Sequence, residues 1–320
     1  MGGIAASSLS GVIMAESRQT VSETLAGIIE RRPVLAPMLN AFAPLLEARA
    51  ALPEKLAPLL ENSGFELPSW QPERARQGAP LLAGVSLNGL FPLLRESADV
   101  LVPLLGKLPG MAEHEAALTA FFADEKTCLR AADTLLTGHD AALVDAATQS
   151  NIPPAVLLFA LETVLGPVLR TLAATYDAPW DERPASWMQG FCPVCGAFPS
   201  IGYLDKRVFD EKNAFLAGGG GKKHLHCSLC GTEWHFRRGA CPSCGKEGSG
   251  VMEFLRESKN SRGERIDWCT TCKSYCPVVD LRERDGTPDM DAMALGMMHL
   301  DMVAAQKGLS PLKPSFWNQF

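Results

Sequence analysis

C192-P-V-C-G196, C227-S-L-C-G231, C241-P-S-C-G245 and C269-T-T-C272 are four Cys-x-x-Cys turns within 81 residues of a 320-residue chain. Two residues between cysteines let both sulfurs of a tight turn face one ion, and two such turns close a four-sulfur shell. Cys192, Cys195, Cys227, Cys230, Cys241, Cys244, Cys269 and Cys272 are therefore the ligands expected for two metal ions per chain. Tetrahedral sulfur suits iron (rubredoxin-like) and zinc alike. In three turns a Gly follows the second Cys, as suits a backbone that takes positive φ after wrapping an ion. Sequential pairing puts Cys192, Cys195, Cys227 and Cys230 on one ion and the remaining four on the other. A crossed pairing, first turn with third and second with fourth, stays open, as does the reading of CxxC pairs as redox couples.

Working outward, short strand-like runs flank the turns: Ile201 to Leu204, Lys223 to His226, Thr232 to Arg237, Val251 to Glu257 and Arg265 to Trp268. Turns alternating with short hairpins are what a rubredoxin-like or zinc-ribbon fold needs, because an ion fastens hairpin tips that have little core beneath them. Gly218 to Gly221 reads as a flexible hairpin tip. No Lys-Ser or Lys-Thr follows it, so a phosphate cradle is not indicated.

Upstream, residues 20 to about 175 read as successive helices, with apolar residues at spacings of three and four and breaks at Pro and Gly. Helices are expected over 20–31, 34–51, 86–105, 111–122 and 124–149, the last broken at Gly138. A further apolar stripe, Leu157, Leu161, Val164, Leu165, Val168 and Leu172, carries Pro167, which should kink it. The stretch Y176-D-A-P-W-D-E-R-P-A-S-W-M188 has the composition of a connection. Downstream, a final helix is expected from Asp289, as cap, to Gln306. The fold class is thus α+β: an all-helical N-terminal domain (1–180), a first ribbon (186–240), a second ribbon (241–285), and a C-terminal helix and tail (286–320).

The hydrophobic content of 47% is ample for a packed core. The richest apolar window, Ile152 to Ala174, is interrupted by Glu162 and Arg170, so no membrane span is expected. The first basic residue is Arg18, which argues against a charged secretory leader, and Arg31-Arg32 lacks the apolar core of an export signal. Together with cysteines assigned to metal rather than disulfides, this leads to an expected cytoplasmic location. Residues 1–185 carry 13 basic and 21 acidic residues, net −8, and residues 186–320 carry net +2. An acidic helical half makes a poor nucleic-acid surface. Lys206, Arg207, Lys222, Lys223, Arg237 and Arg238 read best as balancing the negative charge of thiolate sites rather than as contacts to phosphate.

Several other side chains qualify as candidates. His224, His226 and His235 lie near the second turn and read as surface strand residues, with replacing or tuning a thiolate as the alternative. Cys276 is a ninth thiol near the second site, read as a buried residue at a strand start. Cys128 reads as core, and His299 as packing or exposed polarity. Trp234 and Trp268 are expected to shield the sites. No nucleophile elbow, HExxH or dinucleotide fingerprint is present, so no catalytic residues are assigned.

The segments F191-C-P-V-C-G-A-F-P-S200, L225-H-C-S-L-C-G-T-E-W-H-F-R-R-G-A-C-P-S-C-G245 and I266-D-W-C-T-T-C-K-S-Y-C-P-V-V-D280, following a helical half, strongly resemble the formate dehydrogenase accessory protein family, FdhE. The motif-bearing part of the resemblance covers residues 190 to 282. It implies a cytoplasmic maturation factor that binds the catalytic subunit of a respiratory formate dehydrogenase before export and does not itself oxidise formate. It also implies iron-binding, redox-active rubredoxin-like centres. Two other classes stay open: a nucleic-acid-binding zinc-ribbon protein, and a thiol-disulfide enzyme or CxxC chaperone. Ala197-Phe198 and Thr232-Glu233 break the CxxCxGxG repeat that one chaperone class requires. Self-association is a further open partner class, with the tail Pro311 to Phe320 disordered or tucked against a neighbour.

Overall fold

The computed structural model describes residues 18–138, 140–181, 187–206, 221–257, 259 and 261–318. Helix α1 (Val21–Arg31) begins at a capping box, with the Thr20 hydroxyl accepting from the Glu23 amide and the Glu23 carboxylate accepting from the Thr20 amide. Helix α2 (Ala36–Glu61) runs well past the expected end at residue 51, through Pro53 and Pro58. Proline removes a helix hydrogen bond, but Leu39, Phe42, Leu45, Leu52, Leu56 and Leu60 form one buried stripe that burial holds in register. After a short α3 (Pro72–Arg76) comes α4 (Phe91–Leu105), which starts later than the expected residue 86. Helices α5 (Glu115–Ala123), α6 (Glu125–Thr137) and α7 (Asp140–Gln149) follow, with Gly138 in the left-handed region ending α6.

Helix α8 (Pro154–Ala173) continues through Pro167 and packs with α2 and α4 to make the core of the helical half. Among the described residues it is the one helix long and apolar enough to cross a membrane, and two thirds of its apolar window, 67%, lies buried inside the fold. Two residues of the connection beyond it are tied to the fold. Tyr176 donates its hydroxyl to the Pro68 carbonyl at 2.7 Å, and the Trp180 indole donates to the Glu233 carbonyl at 3.0 Å.

Strands β1 (Ile201–Leu204), β2 (Lys223–His226) and β3 (Glu233–Phe236) form one antiparallel ribbon. Strands β4 (Met252–Leu255), β5 (Glu264–Cys269) and β6 (Ser274–Asp280) form another. The ribbons are not separate sheets. Strand β6 lies parallel to β1, with Gly202 opposite Val278, which gives one sheet in the order β3-β2-β1-β6-β5-β4; the two-residue β7 (Ser310–Pro311) pairs with β6. Gly202 lets β2 lie close against β1 at this point: a Cβ there would stand 2.9 Å from the His224 carbonyl oxygen, while Val278 on β6 would be an ordinary 3.6 Å away. The expected glycine tip lies in the β1–β2 connection, where Gly218 to Gly220 fall outside the described residues, as does Arg207.

The expected terminal helix is two helices, α9 (Met290–Gly296) and α10 (Met298–Gln306), separated at Met297; Asp289 caps α9 through the Ala292 amide. Helix α9 touches α1, α2 and β1, and α10 touches β5 and β6, so this pair joins the helical half to the sheet. The approach of α9 to α1 is close: a Cβ on Gly296 would lie 2.4 Å from Ile28. Charges add to the joint. Buried Glu264 on β5 receives Arg31 at 2.6 Å and Arg284 at 3.2 Å, and Arg32 reaches Glu257 at 2.8 Å.

Candidate metal centres

Each Cys-x-x-Cys segment closes the same backbone turn. The amide of the residue after the second Cys donates to the carbonyl of the first Cys: Gly196 to Cys192 at 3.0 Å, Gly231 to Cys227 at 2.7 Å, Gly245 to Cys241 at 3.0 Å and Lys273 to Cys269 at 3.0 Å. All four donating residues have positive φ, 79°, 71°, 72° and 62° respectively. Glycine takes that conformation without cost, which accounts for the Gly in three turns. Lys273 takes it with a side chain, and its ammonium lies 5.1 Å from the centre of the Trp268 ring.

The turns come together in sequential pairs. Cys192, Cys195, Cys227 and Cys230 form one group and Cys241, Cys244, Cys269 and Cys272 the other, with all sulfurs of a group within 4.8 Å of one another. Across each pair of turns the contacts are Cys192 to Cys230 at 3.3 Å, Cys195 to Cys227 at 3.5 Å, Cys241 to Cys272 at 3.6 Å and Cys244 to Cys269 at 3.8 Å. Disulfide sulfurs sit about 2.05 Å apart, whereas sulfurs around an ion at about 2.3 Å define tetrahedral edges of roughly 3.8 Å. Both groups therefore fit a four-sulfur shell, and each could hold an ion. Ionisation in the first group is uneven: burial holds the Cys192 thiol well above its usual range, while hydrogen bonds from the other thiols and Thr232 overcome burial and pull Cys230 well below. Four buried thiolates repel one another without a cation to balance them.

The surroundings of the groups differ. All four cysteines of the first are buried, and the helical half grips both its turns. Leu81 and Leu82 donate their amides to the Pro193 and Val194 carbonyls at 2.7 and 3.0 Å. Arg49 of α2 and Arg170 of α8 both donate to the Ser228 carbonyl, at 2.9 and 2.8 Å. Gly166 lets α8 approach the second turn, since a Cβ there would meet the Leu229 carbonyl oxygen at 3.1 Å. In the second group Cys241 and Cys269 are buried, Cys272 is half-buried and Cys244 is exposed.

The histidines do not join either sulfur group. His226, expected on a surface, is buried and hydrogen-bonds Asp291 of α9 at 3.2 Å; burial opposes its charge, but Asp291 and Glu233 outweigh it and raise its pKa to about 9. His224 stacks on Tyr203, with ring centres 5.0 Å apart, and lies edge-on to His235. His299 is half-buried against the Gly296 carbonyl, 3.3 Å away. Cys276 is buried as the third residue of β6, and burial pushes its thiol up to about 12; Cys128 in the α6 core is raised to about 12 for the same reason. Trp234 is fully buried and donates to the Gln189 carbonyl at 3.1 Å, while Trp268 is half-buried. Of the basic residues, Lys223 is buried on Asp267 at 2.8 Å and Arg237 pairs with Glu247. Residues that sequence reasoning did not single out are Arg49, Arg170, Asp291, Thr232 and Lys273. Two carried a local signal: Lys273 directly follows Cys272, and Thr232 lies two positions past Cys230, its hydroxyl 3.0 Å from that sulfur.

Comparison with known proteins finds related chains. Residues 191–238 match the family described as FdhE, central domain. A protein named FdhE homolog from Aquifex aeolicus (strain VF5) is 28% identical over 174 residues, covering 54% of this chain and 56% of its own length. An FdhE homolog from Shewanella baltica (strain OS185) is 32% identical over 130 residues, 40% of this chain and 38% of its own length. The matched stretches thus span about half or less of these curated relatives. The crystal structure of the FdhE protein from Pseudomonas aeruginosa has the same fold, with a TM-score of 0.57 at 23% identity over 94% of this chain and 97% of that one.

Proposed function

The central stretch, the curated relatives and the shared fold support this chain as a member of the FdhE family, and from that premise we propose that it is an accessory factor for a formate dehydrogenase. In this reading it binds the catalytic subunit in the cytoplasm, before export, and supports its activation without itself catalysing formate oxidation. The observation that carries the reading is the pair of four-cysteine groups, the first of which lies in the stretch matched to that family.

The eight cysteines are the ligands we propose for two ions, with domains at 1–180, 186–240, 241–285 and 286–320. An iron ion bound there would supply one-electron exchange in an unchanged ligand shell, and zinc would supply structural closure alone. The residues themselves set that environment. Arg49 and Arg170 fix the Ser228 carbonyl beside the first group, and the Thr232 hydroxyl lies against the Cys230 sulfur. The geometry favours a metal shell over a thiol-disulfide chaperone, because the sulfurs meet in fours across turns rather than in pairs within them.

The test is co-purification of the full-length chain with the catalytic subunit of a formate dehydrogenase from the same cell. Retention of the subunit, and loss of formate dehydrogenase activity in a strain lacking this chain, are the results expected. Undiminished activity in that strain, with no subunit retained, would contradict the proposal.

A further inference from the structure

The two sulfur groups share ligand type and turn geometry but not their surroundings. The first is closed on both sides. Residues 80–82 pair with the first turn through two backbone hydrogen bonds, Pro80 lies against Gly196, and two guanidinium groups and helix α8 hold the second turn. Opening it requires the helical half to part from the sheet.

The second group sits at the end of its ribbon. Residues Ser243 to Gly250 are exposed without a break, and Cys244 lies among them. Nothing approaches Gly245, Gly248 or Gly250 within 4 Å of where a Cβ would stand. Cys272 is half-buried, so two of the four ligand residues reach solvent while Cys241 and Cys269 stay buried. A ligand turn with few buried contacts opens at low free-energy cost, and thiol reactivity follows exposure.

We propose that the second centre is an exchange port. Cys244 is the ligand that yields, admitting a soft donor such as the thiol of a small molecule or partner, while the first centre keeps its ion for as long as the fold holds. The inference rests on the metal-binding reading given above. Exchange is a substitution without oxidation or reduction: the incoming thiol loses its proton to solvent and forms a metal–sulfur bond, the Cys244 bond breaks, and the released sulfur takes up a proton. The buried pair Cys241 and Cys269 retains the ion meanwhile.

The experiment uses the full-length chain loaded with two zinc ions and mixed with an excess of a chromophoric zinc chelator, with and without glutathione. Two release phases of one equivalent each are expected, differing in rate by roughly tenfold or more, with glutathione accelerating only the faster. In Cys244→Ser the faster equivalent disappears and the slower stays. Independently of any variant, iodoacetamide should label Cys244 and Cys272 of the loaded chain before Cys192, Cys195, Cys227 or Cys230, with loss of one zinc. A single phase for both equivalents, a fast phase that survives Cys244→Ser, or first labelling in the buried group overturns the exchange port and leaves metal binding intact. A chain that accepts no zinc overturns both.

Discussion

The residue after each Cys-x-x-Cys decides how the turn closes, and the four turns respond differently to change. Gly231 has φ of 71°, and a Cβ there would also meet Arg170 at 3.3 Å, so Gly231→Ala should cost about 1–2 kcal/mol in strain alone. At Lys273 the strained conformation already carries a side chain, with φ of 62°. Lys273→Gly should leave stability within about 1 kcal/mol of the parent, since relief of strain is offset by greater freedom of the unfolded chain. Urea midpoints of the metal-loaded proteins distinguish the two; equal losses would count against the account of the turn. The eight cysteines and the three closing glycines were legible because local spacing encodes them. Arg49 and Arg170 were not, because what they grip, the Ser228 carbonyl, is far away in sequence. His226 misled for the same reason: its partner Asp291 lies on a helix near the other end of the chain.

Among the elements, α10 buries a carboxylate against β6. Asp301 is 1% exposed and accepts the Tyr275 hydroxyl at 2.8 Å; burial lifts its pKa to about 6, against some lowering by that hydrogen bond. A folded value above the ordinary 3.8 means the neutral acid is the better-tolerated form. Its favourable contribution is complete below 3.8 and is lost as pH rises through about 6, an effect of roughly 3 kcal/mol by pH 8. Asp301→Asn keeps an acceptor for Tyr275 and should therefore raise the unfolding midpoint at pH 8, with a smaller gain at pH 5. A loss at both pH values would show that the charge is stabilising. At the other joint, Glu264→Gln leaves Arg31, Arg32 and Arg284 without their shared buried carboxylate and should cost about 3–5 kcal/mol in chemical denaturation. A loss under 1 kcal/mol would mean that apolar contacts alone hold α1 to the sheet. Most helices were visible as apolar periodicity. The extension of α2 past Pro53 was not, because tertiary burial of Leu56 and Leu60 overrides the local penalty. The late start of α4 does carry a local mark, Pro92 in its first turn, which apolar periodicity alone passes over.

At the scale of the whole molecule, the parallel pairing of β1 with β6 turns two ribbons into one sheet, and α9 and α10 fasten that sheet to the helical half. The class, helices followed by metal ribbons, could be read from the order of patterns along the chain. The join between ribbons could not, since it depends on a long-range pairing that places Gly202 beside Val278. The consequence is unequal dependence on the two centres. Cys192→Ser should unfold the junction between the halves, because the first centre ties the sheet to residues 80–82, α2 and α8. Cys244→Ser should leave far-ultraviolet circular dichroism near that of the parent. The central claim, two four-thiolate centres per chain, is tested most directly by metal analysis and visible spectroscopy on protein purified without oxygen. The account predicts about two equivalents of iron or zinc in the parent and about one in Cys244→Ser, with thiolate-to-metal absorption that bleaches on reduction if the metal is iron. Trace metal in the parent, with all eight thiols open to alkylation in the folded protein, would contradict it.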